Sequence, residues 1–133
     1  MTDERLLKGC SVLVVDDDFY IAEENREALE EAGAIVKGPY GREDEAIYAI
    51  NEHTPQFAVL DLNLGKGPSF AVAMAVKAVG VPMVLVTGYD ESIVPPSLAG
   101  TPFLRKPVSG AELVAAVAKL LKQTSVDEGA VDS

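Results

Sequence analysis

Apolar residues in this chain occur in two kinds of segment: short unbroken runs, and longer stretches in which they recur every three or four positions. The short runs are too brief for ordinary helices and rich in β-branched residues, so they predict buried strands; the longer stretches predict helices with one face turned inward. The first run, 10–15, stops at Asp16-Asp17-Asp18. Ile21, Asn25, Ala28, Leu29 and Ala32 then recur at helical spacing, with Asp18 placed to start the helix and Gly33 to stop it. A second strand is predicted over 34–38, broken by Gly38-Pro39. A second helix over 43–52 would face Ala46, Ile47 and Ile50 inward. The apolar run Phe57-Ala58-Val59-Leu60 is the third strand, and it carries Asp61 at its carboxyl end.

Beyond Asp61, Leu64-Gly65-Lys66-Gly67-Pro68 reads as a loop into a third helix over 69–79, which Gly80-Val81-Pro82 ends. The fourth strand, 83–86, delivers Thr87-Gly88-Tyr89. Proline removes a donor and clashes inside a helix, so Pro95-Pro96 restricts any helix in 90–100 to a short or irregular one. A fifth strand over 101–105 ends at Lys106-Pro107. The last helix starts at Ser109 as N-cap and runs through Leu113, Val117 and Leu120 to Lys122. Residues 1–9 read as a polar lead-in, 10–122 as one domain, and 123–133 as a small, polar tail expected to be disordered.

Strands alternating with helices over short loops predict an α/β fold, a doubly wound five-stranded parallel sheet with helices on both faces. Right-handed crossovers send the carboxyl end of every strand to one edge, where such sheets bind ligands. Asp16, Asp17, Asp61, Thr87 and Lys106 therefore converge. Taken alone, Asp61 could equally be a loop acid capping the next turn; the convergence decides otherwise. Three carboxylates brought together repel one another, and a hard cation is the natural compensation. Magnesium suits a site with few protein carboxylates, whereas a calcium loop of the EF-hand kind would place its acids within about 12 residues. Cation, Lys106 ammonium and Thr87 hydroxyl together would receive the oxygens of a phosphoryl group, with an Asp61 oxygen as nucleophile.

Composition narrows the field by exclusion. The 133 residues, 48% hydrophobic and 24% charged, suit one domain of ordinary globular balance. A formal charge of −10 argues against an electrostatic grip on nucleic acid. No apolar run approaches a bilayer span and no signal-peptide core is visible, so a cytoplasmic protein with no membrane contact is expected. One cysteine, Cys10, and one histidine, His53, exclude an internal disulfide and an ordinary zinc site. Cys10 then reads as a plain thiol and His53 as a polar residue near a helix end.

The segments Val14-Val15-Asp16-Asp17-Asp18, Val59-Leu60-Asp61, Val86-Thr87-Gly88-Tyr89 and Phe103-Leu104-Arg105-Lys106-Pro107, in this order, resemble the receiver domain of bacterial two-component response regulators. Each motif alone is weak, and the four at these intervals are specific; the match covers about 11–121. The resemblance implies a flavodoxin-like fold and Asp61 as phosphoacceptor. It implies Mg²⁺ held directly by Asp17 and Asp61, through water by Asp16, and by the backbone carbonyl of Asn63. Thr87 and Lys106 would hold the phosphoryl oxygens. Thr87 and Phe103 would form the switch, with Phe103 lacking the hydroxyl of the more familiar Tyr; plain burial in the core is the other reading of Phe103.

Asp18 stands where receivers more often carry Glu. Thr87-Gly88-Tyr89 before a proline-broken segment resembles a subset with a Phe-Ala-Thr-Gly-Tyr-like motif, although Leu85 and Val86 do not match its first two letters. In that subset Gly88 would lend freedom beside the switch and 90–100 could become ordered on phosphorylation or partner binding. The few residues after Leu121 leave no room for an output domain, so the expectation is a stand-alone regulator, a monomer or weak homodimer. It would take phosphate from a histidine kinase or histidine phosphotransfer domain and signal by contact as shuttle, sink or adaptor. The family's usual output face is the surface around the fourth helix, fifth strand and last helix. Two rivals are a haloacid-dehalogenase-like phosphatase using Asp16 as nucleophile, and a binding module of the same fold that does not depend on phosphorylation.

Overall fold

Alternate residues of the strands face opposite sides of the sheet, and the apolar ones divide accordingly into two cores. In the computed structural model, which describes residues 6–64 and 67–132 and side chains through 124, Val12, Val14, Val59, Val84 and Val86 face one side. Leu13, Val15, Ala58, Leu60 and Leu85 face the other. The strands are β1 (Ser11–Val15), β2 (Ile35–Tyr40), β3 (Phe57–Leu60), β4 (Met83–Thr87) and β5 (Phe103–Arg105). All pair in parallel, in the order β2-β1-β3-β4-β5. Helices α1 (Phe19–Glu31) and α4 (Gly110–Asp132) cover the first side through Leu29, Leu113, Val117 and Leu120. Helices α2 (Glu43–Glu52) and α3 (Ala71–Ala78) cover the second through Ala46, Ile50, Val72 and Val76. This is the predicted doubly wound, flavodoxin-like arrangement.

Local chemistry accounts for the helix starts. The Asp18 carboxylate accepts from the backbone N–H of Tyr20 and Ile21, capping α1. Ser109 and Glu112 form a reciprocal capping box at α4, the Ser109 hydroxyl accepting from Glu112 N–H and the Glu112 carboxylate from Ser109 N–H. His53 is the C-cap residue of α2, near the helix end as expected, and Cys10 is buried. Burial pushes the Cys10 thiol pKa up.

The elements differ from the sequence reading in several places, among them β5, which starts at Phe103 rather than 101. Strand β2 does not break at Gly38-Pro39 but continues to Tyr40, with a register shift opposite Leu13 and Val15. It is an edge strand, where a missing N–H and a bulge are tolerated, and Gly38 at φ +102° supplies the bulge conformation. The polar lead-in contains Leu7, which is fully buried and donates its N–H to Ala32 O at 2.8 Å. That segment crosses so close to α1 that a Cβ on Gly33 would meet Lys8 Cα at 2.7 Å. Helix α3 is shorter than expected, starting at Ala71. Helix α4 spans Gly110–Asp132, past the Lys122 at which the sequence reading ends it; no proline interrupts it, and the Thr124 hydroxyl donates to Leu120 O, within the helix. Residues 1–5 of the lead-in, Gly65 and Lys66 of the loop, and Ser133 lie outside the described residues.

Between β4 and β5 there is no α-helix. Two three-residue 3₁₀ turns, Glu91–Ile93 and Pro96–Leu98, take its place. The proline pair has the effect the sequence predicts.

Candidate functional site

The strand ends bring Asp16, Asp17, Asp61, Thr87 and Lys106 to one edge of the sheet. Asp16 follows β1, Asp61 follows β3, Thr87 closes β4 and Lys106 follows β5. Carboxylate oxygens of Asp16, Asp17 and Asp61 lie within 4.8 Å of one another. Asp16 and Asp61 are buried, at 4% and 7% exposure, whereas Asp17 is exposed. Lys106 Nζ reaches both buried acids, donating to Asp16 Oδ2 and Asp61 Oδ2 at 3.0 Å each. One ammonium thus bridges two of the three carboxylates.

Backbone donors fix the remaining directions. Asp16 Oδ1 accepts from Asp18 N–H at 2.9 Å, and Asp61 Oδ1 accepts from Asn63 N–H at 3.0 Å. Each acid therefore turns one oxygen to its own following loop and the other to Lys106. Burial raises the Asp16 carboxyl pKa above its ordinary value, helped by the charge of Asp61 and opposed by the Asp18 N–H and Lys106. For Lys106, burial works against the ammonium, yet its bonds to Asp16 and Asp61 outweigh it and hold its pKa above the usual lysine value. The lysine stays charged, but its pairing does not fully offset the desolvation of Asp16.

This donor set fits a hard divalent cation. Three carboxylates and one ammonium sum to −2, the oxygens are close enough to share an ion, and one of the acids is open to solvent. Receiver domains generally bind Mg²⁺ at such an acidic cluster.

Thr87 is fully buried. Its hydroxyl accepts from Tyr89 N–H at 3.3 Å, and its carbonyl accepts from Lys106 N–H at 2.9 Å, tying the ends of β4 and β5 together. Phe103 pairs in register with Leu85 and is half-buried against the core on the α2–α3 side, so it is neither a free surface ring nor a fully enclosed one. Gly88 has a backbone conformation open to any residue, and a Cβ there would meet nothing within 4 Å. Glycine is not sterically required beside Thr87. Phe19 and Tyr20, 68% and 78% exposed and in edge-to-face contact, stand where α1 starts beside the acids. Sequence reasoning passed over them, although both fall off the inward stripe of α1 and so had to face solvent. The 840 Å³ groove between β2 and α2, lined by Val36, Tyr40 and Tyr48 among others, does not include any of the clustered acids. Size alone would have misplaced the site.

Among the described residues no helix is long and apolar enough to cross a membrane. The response regulator receiver domain model matches residues 12–118. Response regulator MprA of Mycolicibacterium vanbaalenii is 30% identical over 128 residues, covering 92% of this chain and 54% of that protein. The chain thus spans about half the length of the curated relatives it matches. Among solved structures, the NarL signal receiver domain of Mycobacterium tuberculosis is 26% identical with TM-score 0.70, covering 86% of this chain and 98% of that one. The CheY-like receiver domain protein of Methanospirillum hungatei is 22% identical with TM-score 0.79, covering 90% and 99%, and supports the fold. With the family model spanning most of the sequence and the strand-end acids in one cluster, the chain belongs to the response regulator receiver domain family.

Proposed function

We propose that this domain accepts a phosphoryl group on Asp61 from a phosphohistidine of a histidine kinase or histidine phosphotransfer domain, in a Mg²⁺-dependent reaction, and signals by protein contact in the cytoplasm. The observation that carries this reading is the Lys106 ammonium bridging Asp16 and Asp61 at 3.0 Å each within the three-acid cluster. An oxygen of the Asp61 carboxylate attacks phosphorus; the P–N bond to the donor imidazole breaks with its electron pair staying on nitrogen, and a P–O bond forms. Asp61 loses its charge in becoming an acyl phosphate, so its hold on Lys106 weakens and the ammonium is free to donate to a phosphoryl oxygen. The Thr87 hydroxyl, at the end of the neighbouring strand, is the second donor to those oxygens.

Asp17, Asp61, the Asn63 carbonyl and, through water, Asp16 would hold Mg²⁺. When bound, the ion supplies positive charge against the acids and the transferred group. Asp17 is the acid with no hydrogen bond to Lys106 and the one open to solvent, which suits it to direct ligation. Thr87 and Phe103 are the proposed switch pair.

Incubation with Mg²⁺ and acetyl phosphate, read by intact mass, tests the reading. The wild type gains one labile phosphoryl group, chelation of Mg²⁺ prevents it, and Asp61→Asn abolishes it. An adduct that persists in Asp61→Asn, or that forms equally with excess chelator, would overturn it.

A further inference from the structure

Ser69 sits at a junction that the proposed chemistry does not use. Its backbone N–H donates to Leu62 O at 2.7 Å, its hydroxyl donates to the Glu43 carboxylate in the first turn of α2, and the same hydroxyl accepts from Ala71 N–H at 3.4 Å at the start of α3. Three parts of the chain thus meet on one residue, two of them on its side chain. The strand of chain it anchors is the one that leaves Asp61: Leu62 is buried, Asn63 donates to Asp61 Oδ1, and Asn63 bridges antiparallel to Pro68, the residue before Ser69.

We infer that the Glu43–Ser69 hydrogen bond is a positioning contact that fixes the backbone of Leu62 and Asn63, and through it the Asn63 carbonyl and the Asp61 carboxylate, for the divalent cation. The inference rests on the proposed Mg²⁺ site. A hydroxyl needs a fixed acceptor to lock its residue, and Glu43 is one: it is half-buried, stands in the first turn of α2 where the helix dipole favours a carboxylate, and makes no ion pair among the described residues. Without that tie the loop keeps the Asn63 N–H bond to Asp61 Oδ1 and its backbone bonds, but its Ser69 end is no longer fastened to α2. Tied to α2, it cannot turn without breaking a charge-assisted bond. Groups one step removed from a metal orient its ligands in this way, and their loss weakens binding without touching the ion. Neither Glu43 nor Ser69 is a ligand, so both act through Leu62 and Asn63.

The test is Mg²⁺ titration of the full chain followed by amide NMR shifts, together with hydrogen exchange of the Asn63 and Ser69 amides in the metal-free protein. Ser69→Ala and Glu43→Ala are each expected to weaken Mg²⁺ binding about tenfold. The double variant should be no weaker than either single one, because one bond is lost in all three. Glu43→Gln, which keeps an acceptor oxygen, should restore most of the affinity. The Asn63 amide should exchange faster in both alanine variants, which loss of general stability alone would not confine to this loop. Mg²⁺ affinity within twofold of wild type in a folded Glu43→Ala or Ser69→Ala chain overturns the inference while leaving the proposed function intact. A wild-type chain that binds no Mg²⁺ overturns both. Should Ser69→Ala fail to fold, Glu43→Ala, altered on a half-buried surface position, decides alone.

Discussion

The carboxyl edge of the sheet is built in two ways. On the β1–β3 side, Asp16 and Asp61 are each held by a backbone N–H and by Lys106, and the strands behind them are buried along their whole length but for Ser11. On the β4–β5 side, residues 88–102 carry two 3₁₀ turns instead of a helix and are held chiefly by the buried Leu98. Surface contacts assist: Arg105 with Asp90 at 3.4 Å, the Lys77 ammonium with the Ser97 carbonyl, and the Ser97 hydroxyl with Met74 Sδ at 3.7 Å. The comparison separates two tasks. Chemistry needs fixed oxygens, and the first side fixes them; a response needs a region whose rearrangement costs little, and segment 88–102, unlike the fully buried β4 before it, has Leu98 as its one buried residue.

Removing Lys106 attacks the contrast most strongly. Lys106→Met leaves two buried carboxylates without their ammonium, and breaking such a pair should cost about 3 kcal/mol in metal-free protein, read as a lower urea midpoint at neutral pH. The loss should shrink when Mg²⁺ is added. The pH dependence has a definite sign: a lysine whose folded pKa is raised contributes stability that is complete below its ordinary value of 10.5 and disappears as pH rises through the higher folded value. Wild type should therefore lose more stability than Lys106→Met when the titration is carried above that value. Equal alkaline loss in both would mean that the bridge does not matter to the fold.

Leu98→Ala acts on the other side. Leu98 is 1% exposed, and its truncation should cost about 2–3 kcal/mol. Hydrogen exchange should show lost protection concentrated in 88–102, with the amides of β1 and β3 less affected. Uniform loss across all strands would merge the two regions into one cooperative unit and remove the distinction. The smallest effect belongs to Gly88→Ala. With ordinary backbone geometry and open space at its Cβ, it should change stability by no more than about 0.5 kcal/mol in thermal unfolding, and a large drop would reveal a constraint beside Thr87 that the resting structure lacks.

These regions also differ in how far they could be read from sequence. The β1 and β3 runs have no alternative to being buried strands, and a parallel sheet then dictates that Asp16, Asp61, Thr87 and Lys106 share an edge; that part of the fold and the clustering of the acids followed from pattern and topology. Pro95-Pro96 likewise announced the irregular segment. Pattern failed where position in the sheet, not composition, decides. Gly38-Pro39 looks like a strand end until β2 is known to be an edge. Leu7 looks like part of a polar leader until its segment is known to pack against the end of α1 and into the core on that side of the sheet. The Glu43–Ser69 contact joins residues 26 apart and has no local signature, since either residue alone is an ordinary helix-start or loop residue.

Localisation of the phosphoryl group tests the central claim most directly. After labelling with acetyl phosphate and Mg²⁺, borohydride reduction converts an aspartyl phosphate to homoserine, which peptide mass mapping can assign to a position. Homoserine at position 61 alone is the predicted result. Homoserine at position 16 would contradict it and point to a phosphatase-like nucleophile at the end of β1.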